Sequence, residues 1–340
     1  MNGEQMQLEM DQQPAVIARI AERVGEIHRA VRGVRPHPFH GTVFVGRGSS
    51  DNAAVLGRYV AELNSGRPAG LAAPSLHTRY AARVDYRGYL VVGLSQSGAT
   101  PEVIATCQKL RHDGARLISI TNDNESALAG IADLALSTDA GVERAVPATK
   151  TVTAQMMLML VVAGALAEIP KSEEGFDGLS PAIEVVLADR RPARDLAAAW
   201  SSYDRMLVTA RGLCYAAALE GALKIKETSR VLAEGISAAD LLHGPIAAVD
   251  TGLPVLCIDG GDPTADDARA LVERLNAIDA PVATCSPSEQ STLPLPPAMP
   301  EALYPILATV RGQQFAYELS LARGLDPDEP IGLTKVTPTR

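Results

Sequence analysis

The segment Ser95-Gln96-Ser97-Gly98-Ala99-Thr100 sets three hydroxyls and a carboxamide between an apolar run, Leu90–Leu94, and a helix opened by Pro101. Gly98 lets the backbone come close to a ligand. Free N–H groups and the helix dipole at such a start favour an anion, and a phosphate monoester is the guest this chemistry points to. The same residues also read as a plain helix start that needs no ligand, with Thr100 as N-cap and Pro101 in the first turn. No Gly-Lys-Ser/Thr follows, so the loop is not a P-loop, and Gly46-x-Gly48 does not complete a dinucleotide fingerprint. Two more polar loops precede helices in the same half, Gly46-Arg47-Gly48-Ser49-Ser50 and Val146-Pro147-Ala148-Thr149-Lys150.

A second group of reactive side chains lies further on. Glu220, Lys224, Lys226 and Glu227 fall on one expected helix, and the spacing puts Glu220, Lys224 and Glu227 on one face. Such a face reads either as a solvated ion-pair ladder or as an acid–base site. Glu234 follows, and then Leu242-His243-Gly244-Pro245, where a histidine sits in a rigid turn. Taken alone, such a histidine reads as structural before functional.

The elements that must position these groups alternate. An opening helix is expected over 6–35, with Ile17, Ile20, Val24 and Ile27 at helical spacing. Strands are expected at Thr42–Val45, Tyr89–Leu94, Ala115–Thr121 and Leu134–Ser137, with helices at Asn52–Leu63, Pro101–Arg111 and Thr149–Leu166. A charged stretch with Gly and Pro follows. A second round then has helices Ile183–Trp200 and Tyr215–Val231, strands Met206–Thr209, Pro254–Ile258 and Val282–Thr284, a helix through Leu275 and a last helix over Ala302–Ala322; Ser286–Pro300 reads as loop. Alternation of this kind predicts doubly wound α/β domains with parallel sheets. In such sheets ligands bind beyond the carboxyl ends of the strands. The halves share a repeat: Arg47-Gly48, four residues, Ala53-Ala54-Val55 and Gly57 match Arg211-Gly212, four residues, Ala217-Ala218-Leu219 and Gly221. Internal duplication is the reading this favours.

Bulk properties agree. The 340 residues exceed one ordinary domain, and 46% hydrophobic with 21% charged residues fits a packed globular chain. Aromatics at 4% leave the core to Ala, Val, Leu and Ile. A net charge of -9 argues against nucleic acid or anionic membranes as partners. Cys107, Cys214, Cys257 and Cys285 form no CxxC pair and have no histidine at metal-ligand spacing, so they read as reduced core thiols. The longest apolar stretch, Met156–Ala167, is too short to span a bilayer, and no signal pattern opens the chain. A cytoplasmic protein is the expectation.

Taken together, in order, the motifs resemble the sugar isomerase (SIS) family: the isomerase half of glucosamine-6-phosphate synthase and its stand-alone relatives with two SIS domains, including hexosamine-phosphate deaminases. The resemblance runs over nearly the whole chain. It covers Met10-Asp11-Gln12-Gln13-Pro14, Gly46–Ser50, Ser95–Gly98, Glu143 to Lys150, Leu219–Glu227, His243-Gly244-Pro245, Asp328-Glu329-Pro330 and Leu333-Thr334-Lys335. It implies two doubly wound, flavodoxin-like αβα SIS domains: residues 36–168 for phosphate binding and 181–325 for proton transfer. An N-terminal helical segment (1–35), a linker (169–180) and a tail closing the active site (326–340) complete the division.

Residue by residue, the resemblance implies that Ser50, Ser95, Gln96, Ser97 and Thr100 hold the phosphate, with Val146 lending its backbone and Thr334 binding from the tail. Gly48, Ser49, Glu143 and Ala148 are further sugar contacts. Glu227 shuttles the proton between C1 and C2, Lys224 tunes it, His243 opens the ring from a neighbouring subunit, and Lys335 corresponds to a lysine that forms a Schiff base with an open-chain ketose. The implied protein is a homodimer with shared sites, acting on a hexosamine or ketose 6-phosphate, with no metal or redox cofactor. The implied reaction is deamination of glucosamine 6-phosphate to fructose 6-phosphate. Ammonia-dependent synthesis, a deglycase acting on amino acid adducts, and a non-catalytic sugar-phosphate regulator are the alternatives.

Departures from the pattern are specific. Ala99 stands where an acidic residue is common, and Arg144, Pro147 and Ala148 replace a more apolar, Ser-containing loop. Leu242 replaces a lysine, and the tail after Lys335 is one residue shorter. Asn2, not a nucleophilic cysteine, follows Met1, so no glutaminase chemistry is expected.

Overall fold

The computed structural model describes residues 2–167, 175–261 and 263–335. The chain divides into two compact units. The first is made of Ala15–Glu143 and Lys150–Asp177, the second of Met1–Pro14, Arg144–Thr149 and Gly178–Lys335. Half of the sequence-expected linker 169–180, residues 169–174, lies outside the described residues, and its last two residues open a helix.

Three helices open the chain where one was expected over 6–35: α1 (Glu4–Asp11), α2 (Gln13–Glu22) and α3 (Val24–Val34). The breaks have local causes. Pro14 has no N–H to give to the Met10 carbonyl, so it suits the first turn of a new helix rather than the interior of an old one. At Arg23 the backbone N–H turns back to the Ile20 oxygen at 3.0 Å.

The first unit continues β1 (Gly41–Val45), α4 (Ser49–Ser65), β2 (Ala69–Leu71), α5 (Pro74–Thr78), β3 (Tyr89–Leu94), α6 (Pro101–His112), β4 (Arg116–Thr121), α7 (Ala127–Gly130), β5 (Leu134–Ser137) and α8 (Lys150–Leu166). Its strands pair in parallel in the order β2-β1-β3-β4-β5. Leu90, Val91, Val92 and Leu94 are buried without alternation, as a parallel strand covered on both faces requires. The apolar run after Lys150 is likewise a core helix: every residue of α8 except Gly164 is buried. Among the described residues no helix is long and apolar enough to cross a membrane.

The second unit holds α9 (Leu179–Ala188), α10 (Arg191–Trp200), β6 (Arg205–Ala210), α11 (Tyr215–Ser229), β7 (Leu232–Ser237), α12 (Ala238–Leu242), β8 (Val255–Ile258), α13 (Ala265–Asn276), β9 (Val282–Ser286), β10 (Leu293–Pro294) and α14 (Tyr304–Ala322). The single helix expected over Ile183–Trp200 is two, because Asp189 is extended and Pro192 lies in the first turn of α10. The sheet order is β10-β9-β8-β6-β7, all parallel. Counted from the first strand of each sheet, both units follow the flavodoxin-like order 2-1-3-4-5. β7 escapes a pattern search because Glu234 and Gly235 interrupt it. Gly235 is required there, since a Cβ would lie 2.8 Å from the Leu219 Cα of α11.

Candidate functional site

In the first unit the strand order reverses between β1 and β3, and the loops after these two strands open at that switch point. The loop after β1 turns through Gly48 (φ 59°) into α4, whose first turn carries Ser49 and Ser50. Ser50 is buried. The loop after β3 is held from several directions. Ser95 Oγ and Thr100 Oγ1 share a hydrogen bond at 3.0 Å. The Ala99 N–H donates to Ser97 Oγ at 3.2 Å. The Asn122 N–H donates to the Gln96 carbonyl at 3.0 Å, and Leu128 N–H to the Gly98 carbonyl at 3.0 Å. Gly98 sits at φ 60°, and a Cβ would come 2.1 Å from Ser126 Oγ. Ser126, the N-cap of α7, thus leaves no room for a side chain at position 98. Thr100 is the N-cap of α6, without a side-chain capping bond to that helix. Arg47 Nε donates to Glu102 Oε2 at 2.8 Å, joining the loop after β1 to the first turn of α6.

Glu143 is occupied within the first unit. Its carboxylate accepts from the Thr151 N–H at 3.2 Å and from Thr151 Oγ1 at 2.7 Å, capping the start of α8. Lys150 Nζ, buried, donates to the Val142 carbonyl at 2.6 Å. Asn122 is a hub that sequence reasoning missed. Its amide donates to Gly141 O at 2.7 Å, and its oxygen accepts from Thr138 Oγ1 and Ala140 N–H.

In the second unit the charged face of α11 is not the solvated ladder its spacing allowed. Glu220 and Lys224 side chains are 0% and 1% exposed. Lys224 Nζ lies 3.4 Å from Glu220 Oε1 and donates to Glu227 Oε2. One buried ammonium therefore serves two carboxylates, of which only Glu227 reaches solvent, at 21% exposure. Glu227 lines a cavity of about 620 Å³ with Lys226, Arg230, Glu329, Ile331 and Leu333, among others. A carboxylate held by one charged hydrogen bond and open on its other side has the form of a proton-transfer base.

The same unit gathers the chain's distant ends. Glu9 of α1, buried, accepts from the Arg144 N–H and from the Ala145 N–H at 3.2 Å. Lys335 Nζ donates to the Ala145 carbonyl at 2.6 Å. The segment bearing Val146 and Ala148, both half-buried, is so held between Glu9 and Lys335. Asp328 anchors the tail by accepting from Gln5 N–H at 2.9 Å and Met6 N–H at 2.7 Å. Glu9 is a second omission of sequence reasoning; an acid on the apolar side of α1 was the available signal. Thr334 is exposed, and so is His243 at the C-cap of α12. His243 is not among the residues lining the Glu227 cavity.

Comparison with known proteins agrees with this architecture. The pattern described as SIS domain matches twice, at residues 40–165 and 201–310. Glutamine–fructose-6-phosphate aminotransferase (isomerizing) of Thermococcus kodakarensis is 32% identical over 308 residues, covering 86% of this chain and 51% of that protein. The chain thus spans about half the length of this curated relative. The C-terminal domain of glucosamine-fructose-6-phosphate aminotransferase from Francisella tularensis superposes with a TM-score of 0.79 at 24% identity, covering 95% of this chain and 97% of that one. Glucosamine-6-phosphate deaminase of Thermotoga maritima does so at 0.75 and 22%, covering 95% and 99%.

Proposed function

The chain belongs to the SIS domain family, and from that premise we propose that it is a deaminating sugar-phosphate isomerase, converting glucosamine 6-phosphate and water to fructose 6-phosphate and ammonia. The observation that carries the reading is Glu227, paired with a buried ammonium and facing a cavity of about 620 Å³. On the open-chain aldehyde, Glu227 takes the proton from C2 and returns it to C1. The nitrogen at C2 becomes an imine, and water hydrolyses it to the ketone with loss of ammonia. The phosphate, remote from the reacting carbons, is held by Ser95, Gln96, Ser97 and Thr100 with Ser50, and its binding energy keeps the sugar in register. The buried Ser50 and the interlocked Ser95–Thr100 pair support this assignment. No glutaminase step is included.

We read the active form as a homodimer in which His243 completes a neighbour's site; its exposure, and its absence from the Glu227 cavity, support that arrangement. The common strand order of the two sheets supports their origin by duplication. A second substrate class, a sugar phosphate whose amine carries a carboxylate, is favoured by Lys226 and Arg230 in the cavity that Glu227 lines.

The test is to incubate the purified protein with hexosamine 6-phosphates and amino acid adducts of fructose 6-phosphate, and to measure released ammonia or amine with ketose or aldose phosphate. Ammonia from glucosamine 6-phosphate supports the first reading, and free amino acid the second. Sugar-phosphate binding without turnover of any of them would make the protein a regulator.

A further inference from the structure

The two helices that open at the first sheet's switch point each carry a carboxylate in the first turn, Asp51 in α4 and Glu102 in α6. A carboxylate there competes for the helix field that would attract a phosphate, and it repels a dianion. Arg47 is the cation set against both. Its Nε donates to Glu102 Oε2 at 2.8 Å. Burial raises the Asp51 carboxyl above its ordinary range, and the Arg47 charge draws it back. The Glu102 side chain is only 14% exposed, against 42% for Arg47, so the pair is partly shielded from solvent screening.

The second unit contains a counterpart. Arg211, at the matching place in the repeat, pairs with Asp267 in the first turn of α13 at 3.0 Å. There the loop after β8 already holds an anion of its own, because Asp259 Oδ1 accepts from the Gly261 N–H at 3.0 Å. The arginine–carboxylate pair thus accompanies a negative group in the adjoining loop of the second unit. In the first unit the corresponding loop offers hydroxyls and no carboxylate, so it supplies no anion of its own.

We propose that Arg47 is a positioning residue for the phosphate end of the substrate: by holding Glu102 in a charged hydrogen bond it removes the repulsion that this carboxylate exerts on an anion at the Ser95–Thr100 loop. This rests on the reading of that loop as the phosphate site. Arg47 acts through Glu102 and is not itself a ligand of the phosphate.

The experiment is a double-mutant cycle, Arg47→Ala, Glu102→Gln and the pair combined, with Arg47→Lys as the conservative variant. Binding of inorganic phosphate is followed by 31P NMR titration, together with KM and kcat on glucosamine 6-phosphate. Arg47→Ala is expected to weaken phosphate binding and raise KM roughly tenfold, with kcat within about twofold. Glu102→Gln leaves binding as tight or tighter, the combined variant returns to within about threefold of wild type, and Arg47→Lys falls between. A combined variant as weak as Arg47→Ala overturns the proposal, since Arg47 would then be a direct ligand. Unchanged binding in Arg47→Ala overturns it as well. If Arg47→Ala fails to fold, Glu102→Gln decides: weakened phosphate binding there means the pair is only a clip between loops. Wild-type phosphate binding that is insensitive to Ser97→Ala with Thr100→Ala removes the phosphate site itself, and the inference with it.

Discussion

The two units share one strand order and carry their candidate site residues in different places. The first opens its hydroxyl-bearing loops at the switch point between β1 and β3. The second has closed the equivalent crevice between β6 and β8. Asp259 takes the Gly261 N–H that an anion would use, and a Cβ on Gly260 would lie 2.9 Å from Cys214 Sγ. The space beside it, lined by Thr209, Arg211 and Thr264, is about 10 Å³, room for about one water. Its candidate base, Glu227, lies instead near the far end of α11, where the chain has turned back towards the start of β7. The difference teaches that a doubly wound sheet need not leave its switch point open: the same strand order accommodates an open crevice and a filled one. In the first unit the candidate residues are hydroxyls at a helix start, whereas in the second the candidate is a carboxylate in the last turn of a helix.

The sharpest test of that division is Glu227→Gln, which keeps shape and removes basicity. It should lower kcat by roughly 10²–10⁴ without unfolding the protein. Lys335→Ala should lose less, since a glucosamine substrate brings its own nitrogen, and Lys335 Nζ is engaged with the Ala145 carbonyl. Turnover and solvent deuterium at C1 of the product check both; the reverse ranking would sink the proposed mechanism. Mixing Glu227→Gln with His243→Ala subunits should restore part of the activity, whereas none, despite proven exchange, would mean each site is built within one chain.

Lys224→Met probes the second unit's interior. It leaves the Glu220 carboxylate, 0% exposed, without its ammonium, and should cost about 3–5 kcal/mol in denaturant unfolding. A loss below about 1 kcal/mol would mean that the pair is solvated after all. In the first unit, Ser97→Ala with Thr100→Ala should raise KM for the sugar phosphate by roughly 10- to 100-fold and leave the fold intact, at a cost of about 1–2 kcal/mol in stability. If the unphosphorylated sugar serves as well, the loop is only a helix start. The smallest effect should come from Asp259→Ser in the closed crevice: about 1 kcal/mol of stability, with kcat and KM within about twofold. A large kinetic effect there would erase the contrast between the units.

Much of this was legible beforehand. Unbroken apolar runs such as Leu90–Leu94 mark strands covered on both faces, and Thr100-Pro101 marks a helix start, because both signals are local. The short edge strands β2 and β10 and the Gly-interrupted β7 were not legible, since only a neighbouring strand makes them strands. The breaks at Pro14 and Pro192 could have been read from proline alone, but helical periodicity carried across them.

The candidate residues divide the same way. Sequence by itself determined the hydroxyl loop, the alternation of elements and the common face of Glu220, Lys224 and Glu227, because each depends on neighbours a few positions apart. Only the tertiary structure decided that this face is buried rather than solvated, since burial depends on which helix packs against it: Thr228 and Ser229 of α11 donate to the Ala316 carbonyl of α14. It also decided that Glu143 is spent on Thr151, and that Glu9 and Lys335, 326 positions apart in sequence (335 − 9), hold the backbone of one segment. Charge and spacing are written locally in a chain. Whether a charge is bare, paired or dry is set by residues that spacing cannot name.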